Sequence, residues 1–254
     1  MKTVYGPVSS WRLGRSLGID PVCSDPKVCS FDCVYCQLGS GEKTAERRKL
    51  VKTYDFIADL KEAAAAEADV ATFAGTGEPT LATNLGDMLR YLKSNTDLPA
   101  AILTNGSMMD DENVARALRE MDIVVAKLDA PNARLFRKIN RPHESIDFER
   151  YLDAMRAFRE GYEGRFALQM MFTESNFDYA ADMADIAAGM QPDEVQINTP
   201  LRPCAVEPLS REDMEQVSSE FGRLDNVISV YDAEKPEVKP IDMDEVRLRK
   251  RPEA

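Results

Sequence analysis

The sequence predicts an α/β protein in which parallel strands alternate with helices. Short apolar runs rich in β-branched residues alternate along the chain with segments whose apolar residues recur at helical spacing. The length of 254 residues is ordinary for one barrel-type domain, and hydrophobic residues make up 44% of the chain, which is enough for a substantial core. An open or partial barrel and a doubly wound sheet both fit this pattern.

Six apolar runs are predicted to form the parallel sheet: residues 17–22, 70–74, 100–104, 123–128, 166–172 and 194–198. The amphipathic segments between and after them are predicted to form helices: residues 54–68, 85–93, 111–120, 148–159, 179–190 and 211–224. Each helix has an apolar stripe that needs a sheet to cover it. A further strand at 227–231 is predicted to extend one edge. We therefore expect one domain over residues 1–231, followed by a charged, proline-containing and loosely ordered tail over 232–254.

Acidic residues outnumber basic ones, with 44 Asp and Glu against 32 Lys and Arg and a formal net charge of −12. Because non-specific nucleic-acid binding depends on clustered positive charge, this balance argues against a protein that coats DNA or RNA and against a polybasic membrane-surface protein. The N-terminal segment lacks the apolar run of a secretory signal, so we expect a cytoplasmic protein without a membrane segment.

Positive charge is nevertheless concentrated near one cysteine-rich loop and near the C-terminus. In those places it could steer an anionic substrate towards the protein. The residues are Arg12, Arg15, Lys43, Arg47, Arg48, Lys49, Lys52, Arg247, Arg249, Lys250 and Arg251.

Three of the five cysteines lie close together, as Cys29, Cys33 and Cys36 in a C-x3-C-x2-C arrangement. Thiolates this close on one loop suit a soft metal centre such as an iron–sulfur cluster or zinc. A four-iron cluster held by three cysteines would leave one iron open to an outside ligand, which indicates a catalytic rather than a structural role for the cluster. The alternative is a structural zinc site that takes Cys23 as its fourth ligand.

A second candidate segment, residues 74–81 with the sequence AGTGEPTL, follows the second predicted strand. In parallel α/β folds, ligands bind on the loops at the carboxyl ends of the strands. Gly75 and Gly77 would let the backbone approach a ligand closely, and Glu78 could receive a ligand ammonium. The alternative is a simple glycine turn capped by Glu78 and Pro79.

The cysteine loop, with Tyr35 directly before its last cysteine, resembles the cluster loop of the radical S-adenosylmethionine (SAM) superfamily. The segment at 74–81 resembles the Gly-Gly-Glu segment of that superfamily in a variant form. The sequence also resembles a narrower branch, the wyosine-synthase-like proteins. The similar segments are VYGPVSSWRLGRSLGID before the loop, CQLG after it, and KLDAP, INRP and QINTPLRP further downstream. Together the resemblance covers roughly residues 4–203.

This resemblance implies a partial (β/α)6 barrel of the radical SAM type, with parallel strands inside, helices outside and the cluster at the C-terminal face. By similarity, Cys29, Cys33 and Cys36 would ligate three irons of a [4Fe–4S] cluster, and SAM would chelate the fourth. The reduced cluster would cleave SAM into methionine and a 5′-deoxyadenosyl radical that abstracts hydrogen from a substrate. The cofactor-binding residues expected from the motifs and the strand ends are Tyr35, Gly75, Gly77, Glu78, Asn105, Asp129 and Asn198.

Further candidates follow the fourth and sixth strands. Lys127 and Asp129 are two residues apart at a strand end and are therefore expected to point the same way. His143 is a candidate catalytic acid or base, the alternative being a surface histidine. Cys204 is a candidate donor of a hydrogen atom to the radical, the alternative being an inert small residue.

The main hypothesis for the substrate is a small molecule or peptide with negative charge, together with an electron donor such as flavodoxin or ferredoxin. Wyosine-type modification of transfer RNA is the nearest alternative, but the acidic balance and the absence of a second group of three cysteines weigh against it. A glycyl-radical activase acting on a partner protein is another alternative. The non-enzymatic alternative is an iron–sulfur electron carrier or a zinc-binding module.

Overall fold

In the computed structural model, which describes residues 1–249, strands alternate with helices along the chain. The strands are β1 (Val4–Ser10), β2 (Gly14–Ile19), β3 (Val28–Cys29), β4 (Glu42–Lys43), β5 (Val70–Phe73), β6 (Ala100–Thr104), β7 (Ile123–Lys127), β8 (Arg165–Met171), β9 (Glu194–Asn198) and β10 (Val227–Ser229). The helices are α1 (Thr53–Glu62), α2 (Leu85–Asn95), α3 (Glu112–Arg119), α4 (Ala133–Ile139), α5 (Phe148–Glu160), α6 (Ala180–Met190), α7 (Arg211–Glu220) and α8 (Met243–Leu248).

One curled sheet contains eight of the strands described in residues 1–249, in the order β1-β2-β5-β6-β7-β8-β9-β10. Neighbouring strands from β2 to β10 are parallel, whereas β1 pairs antiparallel with β2. The crossover helices cover the outside of this sheet, so the strands form the predicted half-barrel. The carboxyl ends of the parallel strands meet on one rim, which is where ligands bind in such folds.

All six predicted strands are present, as β2 and β5 to β9, and the predicted edge strand is β10. The first of them ends at Ile19, earlier than expected, and a turn held by the Asp20 side chain follows it. Its carboxylate accepts hydrogen bonds from the backbone N–H groups of Val22 (3.1 Å) and Cys23 (2.9 Å). The six predicted helices are also present, as α1 to α3 and α5 to α7, although α1 already ends at Glu62.

The sequence does not predict β1 or α4. The text of β1, VYGPVSS, contains a glycine and a proline, which disfavour a regular strand. Its ladder with β2 shifts register between Tyr5 and Val8, and this irregularity accommodates Pro7, which has no N–H to donate. The helix α4 has only seven residues, too few to show a clear helical period.

Residues 232–249, for which the sequence predicts a loosely ordered tail, contact β1 at several points. The Ile241 N–H donates to the Gly6 carbonyl oxygen in β1 (2.7 Å). The helix α8 then packs on β1 through Val246, which is fully buried. Because most residues of this segment are polar or charged, its sequence does not indicate the apolar contact at Val246. The last predicted tail residues, 250–254, lie outside the described residues.

The core lies between the curled sheet and the outer helices. Strand residues such as Ile102, Val124 and Phe166 are fully buried and belong to one cluster with Leu89 of α2 and Leu118 of α3. No helix within residues 1–249 is long and apolar enough to cross a lipid bilayer.

Candidate active site

The cysteine loop is docked against the segment at 74–78 by direct backbone contacts. The Val28 N–H donates to the Thr76 carbonyl oxygen (3.3 Å), and the Glu78 N–H donates to the Val28 carbonyl oxygen (3.1 Å). A Cβ atom at Gly77 would lie 1.8 Å from that same Val28 oxygen. Glycine is therefore required at this position because two backbones touch there, which differs from the ligand access that the sequence predicts.

Gly75 is required for a similar reason. A Cβ atom there would lie 2.0 Å from the carboxyl carbon of Asp20, which is fully buried. Asp20 Oδ2 accepts hydrogen bonds from the N–H (3.1 Å) and the hydroxyl (3.0 Å) of Thr76. Asp20 thus holds this segment from behind, while Gly75, Gly77 and Glu78 line a cavity on the other side.

The opposite side of the cysteine loop rests on α4. The Val34 N–H donates to the carbonyl oxygen of Ile139, the last residue of that helix (2.9 Å). Phe31 is buried and meets the ring of Phe136 edge-on, with 5.3 Å between the ring centroids. The short helix that the sequence does not predict therefore positions the loop that it does predict.

A cavity of about 280 Å³ lies at the strand ends, and the side chains of Cys29, Cys33 and Cys36 line it. Most of the predicted cofactor-binding residues line it as well: Tyr35, Gly75, Gly77, Glu78, Asn105 and Asn198. Polar residues outside the predicted cofactor set also line it: Arg12, Lys27, Gln37, Thr104, Lys127, Gln169 and Arg202. The two motifs thus locate the site, whereas most of the side chains that complete its wall are not marked by either motif.

Amide groups donate hydrogen bonds to two of the cysteine sulfurs. Asn140 Nδ2 lies 3.5 Å from Cys33 Sγ, and Asn105 Nδ2 lies 3.7 Å from Cys29 Sγ. Hydrogen bonds to sulfur are among the features that tune the reduction potentials of iron–sulfur clusters. This arrangement suits sulfurs that bear negative charge.

Burial raises the pKa of the Cys33 thiol from its ordinary value of 9.0 to about 11, although the Lys127 ammonium lowers it. Burial also raises the pKa of Cys29, and the Glu78 carboxylate raises it further. Burial lowers the pKa of Lys27, but Cys36, Cys29 and Asp32 together raise it more, so the net pKa is raised. Without a bound metal both thiols are protonated at neutral pH, and metal binding must therefore release protons.

The zinc alternative requires Cys23 beside the loop, and the structure places it elsewhere. Cys23 Sγ lies 3.3 Å from the carbonyl oxygen of Met1 and 3.4 Å from that of Lys2. Within residues 1–249, no group of three His, Cys, Asp or Glu side chains converges as the ligands of one ion do. A four-iron cluster does not need such convergence, because each cysteine binds a different iron. The donors therefore fit a cluster better than a single zinc ion.

Glu78 is buried, and its carboxylate joins the ends of β5 and β6. Oε1 accepts from the N–H (3.1 Å) and the hydroxyl (2.7 Å) of Thr80 and from the Thr104 hydroxyl (2.7 Å). Oε2 accepts from the Asn105 N–H (2.7 Å). Burial raises the pKa of Glu78, and these hydrogen bonds counteract the rise. Among the described contacts Oε2 is the less occupied oxygen, so it is the one suited to a ligand ammonium.

Asp129 lies behind the cavity wall, although the sequence analysis expected it to contact the cofactor. Its Oδ2 accepts from the Tyr35 hydroxyl and from Asn140 Nδ2 (2.6 Å). Its Oδ1 accepts from the Met171 N–H (2.8 Å). Asp129 is therefore placed to orient two side chains that face the cavity or its cysteines.

Gln169 presents an unused donor at the cavity. Its Oε1 accepts from Lys127 Nζ (2.7 Å), whereas its buried Nε2 has no hydrogen-bond partner among the described residues. Gln169 is 7% exposed and lines the cavity. A buried N–H without a partner costs free energy, so this donor indicates a ligand that carries an acceptor.

His143 and Cys204 lie outside the cavity lining. His143 Nδ1 lies 2.9 Å from the Ser145 hydroxyl, and Cys204 Sγ donates to the Val206 carbonyl oxygen (3.2 Å). Both side chains thus interact within their own loops. The geometry gives no support to the catalytic roles that the sequence analysis assigns to them.

A second cavity of about 380 Å³ adjoins the first. The two share a wall made of Arg12, Tyr35, Gln37, Ala74, Leu103, Met171, Asn198 and Arg202. The rest of the lining includes β1 with the turn after it, single residues of β2 and β5, the segment 199–201 after β9, Val230 and residues 235–237. Ser9 Oγ donates to the Pro236 carbonyl oxygen (2.7 Å) and joins β1 to residues 235–237. The C-terminal segment therefore closes the side of the half-barrel between its edge strands.

Several of the basic residues noted in the sequence are engaged away from these cavities. Arg48 donates to both carboxylate oxygens of Glu42 (2.7 Å each), and Arg47 Nη1 lies 3.2 Å from an oxygen of Asp111. The cations that line one or both cavities are Arg12, Lys27, Lys127, Arg202 and Lys235.

A family model described as the radical SAM superfamily matches residues 25–187, which include the cysteine loop and the strands β5 to β8. The chain belongs to the radical SAM superfamily. The resemblance drawn from the sequence motifs is thereby confirmed. Membership in the radical SAM superfamily implies SAM cleavage at an iron–sulfur cluster.

Two relatives extend over most of this radical SAM chain. UPF0026 protein slr1464 from Synechocystis sp. is 39% identical over 212 residues, which are 82% of this chain and 78% of the relative. A protein from Brachyspira hyodysenteriae with the name GTPase Obg is 37% identical over 231 residues, which are 87% of this chain but only 33% of that protein.

Solved structures show the same radical SAM fold. Streptococcus suis SuiB bound to S-adenosylmethionine superposes with a TM-score of 0.65 at 15% identity, over 85% of this chain and 50% of SuiB. Archaeal TYW1 superposes with a TM-score of 0.55 at 12% identity, over 82% of this chain and 72% of TYW1. At these identities the likeness shows the fold, and the chain spans about half the length of SuiB.

Proposed function

We propose that this radical SAM protein is an enzyme that holds a [4Fe–4S] cluster on Cys29, Cys33 and Cys36 and abstracts hydrogen from a bound substrate. The proposal depends mainly on one observation, that the three cysteines and the segment at 74–78 face one space of about 280 Å³. When bound and reduced, the cluster supplies the electron that cleaves SAM, and the 5′-deoxyadenosyl radical so formed takes hydrogen from the substrate.

Within this cavity the chain's own groups bind and orient the cofactors. Glu78 Oε2 accepts the ligand ammonium, and Gln169 Nε2 donates to a ligand oxygen. Asn105 at the end of β6 and Asn140 at the end of α4 donate to cysteine sulfurs and hold the loop between these two elements. Asn198 borders both cavities, so it contacts SAM, the substrate or both.

The substrate occupies the adjoining cavity of about 380 Å³ and is a small molecule or peptide segment with negative charge. Arg12, Arg202 and Lys235 line this cavity together with the carboxylate of Glu237. A concave wall with an excess of one sign of charge concentrates ligands of the opposite sign. The structural neighbour SuiB has been solved with its precursor peptide SuiA, which keeps peptides among the candidates. A protein of the flavodoxin or ferredoxin class supplies the electron.

Anaerobic reconstitution with iron and sulfide, followed by SAM and dithionite, tests the proposal. We expect about four irons per chain and formation of 5′-deoxyadenosine. The Cys33→Ala variant is expected to lose both, whereas Cys204→Ala retains both because its side chain lies outside the cavity. Failure of the wild-type protein to form 5′-deoxyadenosine, or an unchanged iron content in Cys33→Ala, would contradict the proposal.

A further inference from the structure

Arg249 is completely buried and forms an ion pair with the equally buried Asp20, with 3.2 Å between Nε and Oδ2. Taking two charges out of water is costly, so such a pair is favourable only where further hydrogen bonds satisfy both groups. The two residues lie 229 positions apart in the sequence. The pair therefore fixes the C-terminal segment to the residue that follows β2.

The guanidinium of Arg249 also makes hydrogen bonds and a ring contact with other groups. Nη2 donates to the Lys2 carbonyl oxygen (2.5 Å), and Nη1 donates to the Glu245 carbonyl oxygen (2.8 Å) and lies 3.2 Å from its Oε2. The guanidinium plane also covers the Tyr5 ring, 4.0 Å from its centroid. These contacts use the planar fork of arginine, which the ammonium of lysine cannot reproduce.

Two partners of Arg249 hold residues 74–76, part of the segment at 74–78, on the side away from the cavity. Asp20 Oδ2 accepts from both the N–H and the hydroxyl of Thr76 (3.1 and 3.0 Å). The Tyr5 hydroxyl donates to the Ala74 carbonyl oxygen (3.0 Å). Both ends of this short segment are therefore attached to side chains that Arg249 contacts.

The backbone of Arg249 reaches the cysteine loop as well. Gln37, which directly follows Cys36 and lines both cavities, donates from Nε2 to the Arg249 carbonyl oxygen (3.1 Å). One residue of the C-terminal segment thus contacts the supports of both cofactor-binding segments. Arg249 lines neither cavity, so any effect on the cofactor must pass through its neighbours.

From these contacts we infer that Arg249 is a positioning residue for SAM: through Asp20 and Tyr5 it sets where the segment at 74–78 lies relative to the cysteine loop. This inference rests on the proposed function. It assigns to a residue outside the family-matched region, 25–187, control over SAM affinity. Cluster assembly depends on the cysteines themselves and stays intact without it.

The test compares Arg249→Lys with Arg247→Lys. Arg247 lies on α8, two residues before Arg249, but it is exposed and pairs with Asp244 one turn earlier. In reconstituted protein, Arg249→Lys is expected to raise the dissociation constant for SAM roughly two- to thirtyfold. Iron content stays at the wild-type value in both variants. In protein without cluster or SAM, Arg249→Lys is expected to speed hydrogen exchange at the Thr76 amide, whereas Arg247→Lys leaves it unchanged.

Wild-type SAM affinity and wild-type Thr76 exchange in a folded Arg249→Lys variant would overturn the inference, and Arg249 would then be an anchor of the fold only. Should Arg249→Lys fail to fold, Tyr5→Phe removes only the hydroxyl that holds Ala74, and unchanged SAM affinity in that variant also overturns it. Failure of the wild-type protein to bind SAM would instead contradict the proposed function. The exchange measurement, made without cofactors, still decides the role of Arg249 in that case.

Discussion

At Gly77 the backbone of the segment at 74–78 lies directly against the backbone of Val28, just before the cysteine loop. Gly77→Ala would place a Cβ atom 1.8 Å from the Val28 carbonyl oxygen, and neither backbone can yield without breaking the hydrogen bonds between them. We expect a loss of about 1–3 kcal/mol in the free energy of unfolding, together with a lower iron content after reconstitution. Urea unfolding and iron analysis measure the two effects.

Gly189 provides the matched control for that substitution. It lies inside α6, and a Cβ atom there would meet nothing within 4 Å. Gly189→Ala is therefore expected to stabilise the protein by about 0.5–1 kcal/mol and to leave the iron content unchanged. If the two variants gave the same change in stability, the close contact at Gly77 would not be the cause.

The raised pKa of Cys33 can be read from its reactivity in the cluster-free protein. Because only the thiolate is nucleophilic, alkylation by iodoacetamide is expected to accelerate as the pH rises through about 11 in the folded chain. In urea the same cysteine should accelerate near its ordinary pKa of 9.0. Mass spectrometry of the Cys33 peptide gives both profiles, and identical profiles would show that burial does not perturb the thiol.

The same shift fixes the sign of one contribution to stability. A folded-state pKa above the unfolded one means that the folded chain holds the proton more tightly, so this contribution is complete below pH 9.0 and is lost as the pH rises to about 11. Replacement of Cys33 by serine removes that component of the pH dependence.

At the level of single residues, fixed spacing and strand-end position predict a site at the three cysteines and Glu78, and these residues line one cavity. Asp129 shows the limit of inferring a cofactor contact from a position at the end of a strand. β7 ends at Lys127, and the side chains of Lys127 and Asp129 approach each other, with 3.9 Å between Nζ and Oδ2, but only Lys127 lines the cavity. Asp129 therefore turns behind Tyr35, a placement that only the fold determines.

Among the elements, α4 supports the cysteine loop although it has only seven residues. The Phe136 ring of α4 packs against Phe31, which is 1% exposed and lies between Cys29 and Cys33 in the sequence. We expect Phe31→Ala to cost about 3–5 kcal/mol in the free energy of unfolding and to lower cluster occupancy, because the loop loses its anchor. Thermal unfolding and iron content after reconstitution measure the outcome.

Tyr54→Ala is the control, since Tyr54 on α1 is 76% exposed and its removal is expected to change stability by no more than about 0.5 kcal/mol. Full iron content in Phe31→Ala would show that the loop does not depend on α4.

Among the elements that escape prediction from the sequence, β1 and α8 do so for different physical reasons. β1 contains Gly6 and Pro7, so its local preferences oppose the strand that pairing with β2 enforces. The helix α8 is short and charged, and its docking depends on Val246 and on the buried Arg249, whose partner lies at the other end of the chain. Regular βα units are predictable because the apolar spacing of each strand and helix is visible in its own sequence. β1 and α8 instead depend on the distant residues that they pack against.

At the scale of the whole molecule, the net charge of −12 and the local pairing of the basic residues bear on the alternative that the substrate is transfer RNA. Arg48 is paired with Glu42 and Arg47 with Asp111, so these arginines form no free stripe for phosphates. We expect no retention of transfer RNA in filter binding at low salt, about 50 mM. Salt-dependent retention would favour the wyosine-type alternative over an anionic small molecule or peptide.

The pairing of Asp20 with Arg249 also orders events during synthesis of the protein. A growing chain can form β2 and bury Asp20 long before Arg249, 229 residues later, leaves the ribosome. Until then the buried carboxylate lacks its cation, and the half-barrel remains an intermediate that is easily opened. Tight binding of SAM is therefore expected only after residue 249 has emerged, whereas the cluster can assemble on the cysteine loop before that.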